Sequence, residues 1–150
     1  IDVEKLKEWN KKKLIIWKGM KKDVLPFLQT SKIAVLPSYR EGLPKSLLEA
    51  ASCELPIITS NVPGCKEICI NNYDGILVPP KNSLLLANAI QKILINPKLA
   101  KKFGENGRKL VERKFSTEIV NKNFLKLYKE ICYLAHNPYN LFLQHLNIFL

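Results

Sequence analysis

The apolar run Ile33 to Leu36 ends at Pro37, and after a short loop, Ser38 to Leu43, Pro44 opens a stretch with helical periodicity. A strand that feeds a helix across so short a loop is the repeating unit of a parallel sheet, and few other folds accommodate it. Proline suits the first helical position, because its missing N–H would find no intrahelical partner there and its fixed φ is already helical. The helix is therefore expected to start at Pro44. Leu47, Leu48, Ala51 and Leu55 then share one face, with Lys45, Glu49 and Ser52 opposite. The unpaired N–H groups and positive dipole end of such a helix face the loop, a place for an anion or a sugar hydroxyl. In open parallel sheets ligands bind outside the carboxyl ends of strands, where this loop falls.

The rest of the chain repeats the alternation. Asp2 to Asn10 reads as a short amphipathic helix, and Lys13 to Trp17, stopping at Gly19, as a buried strand. Asp23 caps a short helix that runs to Thr30, and the strand of the opening unit spans Lys32 to Pro37. Leu55-Pro56 ends the central helix, and Ile57 to Ser60 is a third apolar run. Asn61 to Gly64 turns at the same edge as Glu41. A helix over Cys65 to Ile70, a turn over Asn71 to Gly75 and a fourth strand over Ile76 to Val78 follow. Ser83 to Ile95 carries apolar residues at helical spacing. Pro97 to Phe115 is a further helix, interrupted or strained by Gly104 and Gly107, each costing about 1 kcal/mol against alanine. Ser116 is placed to cap a last helix ending near Leu134. Four strands alternating with helices predict a Rossmann-like parallel α/β sheet covered on both faces, its strand-to-helix loops on one edge.

With 150 residues, 47% of them apolar, one soluble domain over 1–135 is expected, followed by a tail, 136–150, that the periodicity does not cover. That tail, with Pro138 and then L-F-L-Q-H-L-N-I-F-L, is too short to span a bilayer. No signal pattern opens the chain, so a cytoplasmic location is expected, and the absence of an initial Met suggests a fragment. Cys53, Cys65, Cys69 and Cys132 include no C-x-x-C pair, and His136 and His145 stand apart from three of them; no metal site is expected. The net charge of +11 fits a nucleoside diphosphate, the anionic inner face of a membrane, with the protein peripheral to it, or nucleic acid. It fits equally a lysine-rich habit on solvated helix faces.

Glu41 and Glu49 are eight residues apart, the second about 7.5 Å of helix rise beyond Pro44. They can touch two ends of one elongated ligand. By spacing alone, however, Glu41 is a loop charge and Glu49 half of a surface pair with Lys45, contributing at most a few tenths of a kcal/mol. The phrase P-S-Y-R-E-G-L-P-K-S-L-L-E-A, Pro37 to Ala50, adds to that reading, because it resembles the E-x(7)-E region of retaining GT-B glycosyltransferases of family 4. The likeness continues in G-C-K-E from Gly64, D-G-I-L-V-P-P from Asp74 and F-S at Phe115, and covers roughly residues 13 to 131.

The resemblance implies a glycosyltransferase of hexosyltransferase type that moves a sugar from a nucleoside diphosphate donor, UDP-sugar foremost, to an acceptor hydroxyl with retained configuration. It implies no cofactor and no essential metal, and a place in cell-surface polysaccharide or glycolipid synthesis. Carried over residue by residue, it puts Glu41 on the donor sugar's hydroxyls, as the residue assigned to catalysis, and Glu49 on the ribose. Backbone N–H groups of Gly42 and Leu43 meet the sugar, while Pro44 has none to offer; Lys45 and Ser46 complete the donor stretch, Lys45 alternatively remaining a surface lysine. Met20 and Lys21, after the L-I-I-W-K-G run, stand against the donor base. Family members also carry an upstream Arg and Lys for the donor phosphates and an N-terminal acceptor domain, absent from this chain, which is thus the incomplete C-terminal half of a GT-B fold and is not expected to catalyse alone. Two rivals remain. A dinucleotide-binding dehydrogenase domain lacks its G-x-G-x-x-G here, and a nucleic-acid module, disfavoured as a partner class, rests on the basic surface and the G-E-N-G run at Gly104 to Gly107.

Overall fold

The computed structural model describes residues 2–136, so residues 137–150 of the expected tail lie outside the described part. The chain divides into two units, Ile1–Thr30 and Ser31–Leu150. In the first, helix α1 (Val3–Lys11) is capped by Asp2, whose carboxylate accepts the Glu4 N–H, and it carries no buried residue. Helix α2 (Leu25–Thr30) starts where Asp23 Oδ1 accepts the Leu25 N–H at 2.9 Å. The strand expected over Lys13 to Trp17 does not form: the stretch has neither helix nor ladder bonds, and Leu14 and Ile16 are 69% and 78% exposed. A strand exists only through bonds to a neighbour, and every strand pair among the described residues lies after Thr30. The Trp17 N–H instead donates to Asn10 Oδ1 at 2.9 Å.

The second unit contains three strands rather than a share of four. They are β1 (Ala34–Leu36), β2 (Ile57–Ser60) and β3 (Gly75–Val78), in spatial order β1-β2-β3. Both pairs are parallel, with Ala34 opposite Ile57 and Ile57 opposite Gly75. β2 is therefore central, and all four of its residues are buried. Successive side chains of a strand point to opposite faces, so Ile57 and Ile58 enter separate clusters. Ile57 packs with Leu47 and Ala51 of α3 (Lys45–Ser52), with Cys65 and Ile68 of α4 (Cys65–Ile68), and with Val111. Ile58 packs with Val78, with Ala89 and Ile93 of α5 (Ser83–Leu94), and with Phe103. Each isoleucine so buried contributes about 1.5–3 kcal/mol relative to exposure. Helix α6 (Pro97–Phe115) supplies both Phe103 and Val111, and so joins the two clusters. A last helix, α7 (Thr117–His136), follows Ser116, whose Oγ accepts the Ile119 N–H.

Helix α6 runs unbroken through Gly104 and Gly107, contrary to the interruption expected there. Its helical bonds survive because tertiary packing requires the first glycine. A Cβ on Gly104 would lie 1.9 Å from the Glu54 carbonyl oxygen, in the turn where Glu54 itself has φ +57. One residue type thus lets α6 lie directly on the end of α3, and Arg108 Nη1 adds a bond to the Ser52 carbonyl at 2.6 Å. A Cβ on Gly107 would make ordinary contact, 3.6 Å from Ala51 Cβ. The G-E-N-G run is helix, not loop, and this removes the geometry on which the nucleic-acid reading rested. Gly104→Ala is expected to lower the unfolding free energy by about 1–3 kcal/mol, overriding alanine's advantage of about 1 kcal/mol as a helix former. Urea titration checks this; Gly107→Ala in the same assay is expected to be neutral or stabilising.

Candidate functional site

Because the three strands are parallel, the loops that leave their carboxyl ends, 37–44, 61–64 and 79–82, share one edge of the sheet. Glu41, Gly42, Leu43, Pro44, Lys45, Ser46 and Glu49 all lie on the first of these loops and the helix that follows it. The helix starts one residue later than expected. Pro44 has φ −69 and ψ 106, an extended conformation, and acts as the N-cap, its carbonyl accepting the Leu47 and Leu48 N–H groups at 3.0 and 3.4 Å. Leu47, Ala50 and Ala51 are buried and Leu48 partly so, which leaves Lys45 and Glu49 on the far face. Lys45 Nζ lies 3.5 Å from Glu49 Oε1, with the two side chains 87% and 37% exposed. The spacing-based pairing is therefore present, and Glu49 is the less solvated partner.

Glu41 is half-buried, and Ser38 Oγ donates to its Oε1 at 2.5 Å. Neighbouring contacts hold the same loop. Thr59 Oγ1, on β2, donates to the carbonyl of Leu36 at 2.8 Å, where the loop leaves β1. Gly64, in the second loop, has φ +80 and stands so close that a Cβ would lie 1.9 Å from the Gly42 carbonyl oxygen and 2.7 Å from that of Glu41. From the third loop Lys81, itself at φ +61, reaches over Tyr39, 5.7 Å from the ring centroid. By contrast a Cβ on Gly42 would meet nothing within 4 Å. The loop is thus braced from beneath and open above.

Met20 and Lys21 belong to the first unit, in a stretch without helix or strand, and Met20 is 99% exposed. Sequence reasoning missed Ser38 and Gly64. The Ser-x-x-Glu spacing signalled the first, since a side chain three residues on is within hydrogen-bond reach. Nothing local signals the second, whose neighbour lies over twenty positions away in the chain. Among the described residues no three His, Cys, Asp or Glu side chains are grouped to hold a metal ion, and no helix is long and apolar enough to cross a membrane. A groove of about 510 Å³ lies on α7 against Asn121, Phe124, Leu125 and Tyr128, none of them a residue singled out by the sequence.

Comparison with known proteins bears on this edge. The profile of the group 1 glycosyl transferases matches residues 3–110. Over 113 residues the chain is 35% identical to the N,N'-diacetylbacillosaminyl-diphospho-undecaprenol alpha-1,3-N-acetylgalactosaminyltransferase of Campylobacter jejuni, across 75% of this chain and 30% of that one. It is 33% identical to the capsular polysaccharide biosynthesis glycosyltransferase CapM of Staphylococcus aureus, across 71% of this chain and 28% of that protein. Among solved structures, sucrose-phosphate synthase from Thermosynechococcus elongatus superposes with a TM-score of 0.79 at 32% identity, over 87% of this chain and 34% of that one. The chain spans about 30% of the length of the Campylobacter relative.

Asp74, of the D-G-I-L-V-P-P run, is 0% exposed. Its Oδ1 accepts the Ile70 N–H at 2.7 Å, and its Oδ2 has no hydrogen-bond partner. Burial pushes this carboxyl above the usual carboxylate range, with the Ile70 amide opposing the shift. Burial first, and then the neighbouring Asp74, push the Cys69 thiol far above the ordinary thiol range. An acid whose pKa is raised on folding stabilises the fold below its unfolded pKa, and that contribution is lost as pH rises through the folded value. Asp74→Asn keeps an acceptor for Ile70 and cannot ionise. Its stability relative to the parent chain is therefore expected to rise as pH increases from about 4, read from urea midpoints; parallel curves would mean that folding does not raise the carboxyl's pKa.

Proposed function

The chain belongs to the group 1 glycosyl transferases, and we propose that it supplies the donor-binding part of an enzyme that transfers a sugar, with retained configuration, from a UDP-sugar to an acceptor hydroxyl. The observation that carries the reading is the Glu41–Gly42 loop at the carboxyl edge of the sheet, braced by its neighbours and open on its outer side. Neither packing nor a positive φ requires glycine at position 42, so its bareness leaves room for a group from outside the chain. Relatives named for undecaprenol-linked saccharide and for capsular polysaccharide support a role in cell-surface polysaccharide or glycolipid synthesis. TarM of Staphylococcus aureus, solved with UDP, superposes at a TM-score of 0.77 and 25% identity, over 84% of this chain and 27% of that one, and supports uracil as the base.

In this reading the bond from the anomeric carbon to UDP breaks and the leaving UDP carries the developing negative charge. The acceptor hydroxyl bonds to the anomeric carbon on the face that UDP leaves and passes its proton to the departing phosphate. The protein's task is to hold the two in place while that charge is stabilised. Glu41 accepts hydrogen bonds from the donor sugar's hydroxyls. The Gly42 and Leu43 N–H groups donate to it, and Glu49 grips the ribose. Lys45 and Ser46 lie toward the phosphates. Neither glutamate acts as a glycosidase-type acid or base; their contribution is placement. No metal takes part. Phosphate contacts from an upstream Arg and Lys and an acceptor-side domain complete the enzyme, and the 150-residue chain alone binds donor without turning it over.

Calorimetric titration of the chain with UDP, UDP-glucose, UDP-N-acetylglucosamine and a single-stranded RNA tests the class. Binding of a uridine nucleotide without RNA is expected, and RNA binding without nucleotide would overturn the reading. In an intact transferase carrying this chain, Glu41→Ala and Glu49→Ala are each expected to cut donor turnover about tenfold or more, and near-normal rates for both would remove them from the site.

A further inference from the structure

We propose that Gly64 and Ser38 are positioning residues that set the donor-sugar end of the site by fixing the Glu41–Gly42 loop from below and from the side. The inference rests on the donor-binding reading above and names the means by which that site keeps its shape. Glu41 sits on a loop between β1 and α3, and such a segment has no ladder or helical bonds of its own to hold it. Its support comes from the adjacent loop. That loop is tied to the centre of the sheet: the Asn61 N–H donates to the Val78 carbonyl at 2.7 Å and the Val62 N–H to the Ser60 carbonyl at 2.9 Å. Val62 and Cys65, on either side of Gly64, are buried in the cluster around Ile57. Gly64 is thus held by the most rigid part of the unit.

At Gly64 the backbone adopts φ +80 and ψ −51, which L side chains rarely occupy, and it meets the carbonyl oxygens of Glu41 and Gly42. Both features require glycine, and the second passes through the loop that bears the candidate carboxylate. A side chain here must either push Glu41–Gly42 outward or withdraw loop 61–64 from the core. Ser38 acts on the side chain instead. Its hydroxyl occupies Glu41 Oε1 at 2.5 Å, which fixes the carboxylate's rotamer and leaves Oε2 for a ligand hydroxyl. The two residues therefore constrain different degrees of freedom of one group, the backbone position and the side-chain direction.

Gly104 provides a matched control. Its Cβ would also collide at 1.9 Å with a carbonyl oxygen, but with that of Glu54, beyond the opposite end of α3. Gly64→Ala and Gly104→Ala are both expected to lower thermal stability, and only the first should alter the donor site. The 150-residue chain and its variants are titrated with UDP and with whichever of UDP-glucose and UDP-N-acetylglucosamine the parent binds tighter. The backbone amide chemical shifts of Gly42 and Leu43 are followed on the same samples.

Gly64→Ala is expected to weaken the UDP-sugar about tenfold more than it weakens UDP, and to shift the Gly42 and Leu43 amide resonances. Gly104→Ala should leave the ratio of the two affinities and those amides unchanged. Ser38→Ala should lose UDP-sugar affinity without a change in UDP affinity, and Ser38→Thr, which keeps the hydroxyl, should restore it. Unshifted Gly42 and Leu43 amide resonances in Gly64→Ala, or an affinity ratio shifted equally by Gly104→Ala, would overturn the inference while leaving the donor-binding reading intact. If the parent chain binds neither UDP nor UDP-sugar, the donor-binding reading fails and this inference falls with it.

Discussion

Strand β2 has no solvent-facing side, and the rest of the second unit is arranged to keep it so. Ile57 and Ile58 are consecutive, so they must point to opposite faces, and each needs its own helical cover. Helices α3 and α4 close one face and α5 the other, while α6 contributes Val111 to the first cluster and Phe103 to the second. The two polar residues that follow, Thr59 and Ser60, are buried as well. Thr59 answers its own desolvation by donating to the Leu36 carbonyl, and in doing so ties β2 to the point where the candidate loop departs.

From that centre the geometry of the edge follows. Parallel strands bring every carboxyl end to one side, and three loops meet there with different tasks. The first carries Glu41. The second carries Gly64, which touches its backbone. Lys81, in the third, extends over Tyr39. Contact runs from the buried strand through loop 61–64 to the backbone of Glu41 and Gly42. Gly104 shows the same device used for a structural end, at the junction of α6 with the turn after α3.

The net charge of +11 already counts every acidic group. The ion pairs among the described residues, Lys7 with Glu4, Lys12 with Glu8, Lys45 with Glu49, Lys101 with Glu105, Arg108 with Glu112 and Lys126 with Glu130, are local helix pairs with exposed partners. Such exposed pairs contribute little to stability and leave the overall field positive. That field suits an anionic donor or an anionic membrane surface, and it is equally what solvated lysine-rich helices produce.

The order of elements after Thr30, the position of β2, the caps at Asp23 and Ser116 and the stretch from Glu41 to Glu49 were all legible in the chain, because each depends on neighbours within a few residues. Lys13 to Trp17 misled, since a run with strand composition still needs a partner for its ladder bonds. Pro44 misled by one residue, its ψ being set by the loop it ends rather than by the helix it precedes. Gly104 looked like a weakness in a helix when judged by propensity, and the packing of α6 on Glu54 turned it into a requirement. Locally encoded periodicity and capping thus determined which segments become strands and helices and which loop carries the acids. Which loops brace that one, and that Gly64 must lack a side chain, were decided only by tertiary packing, because those contacts join segments whose separation along the chain leaves no local trace, whereas the bond from Ser38 to Glu41, three residues apart, lay within local reach.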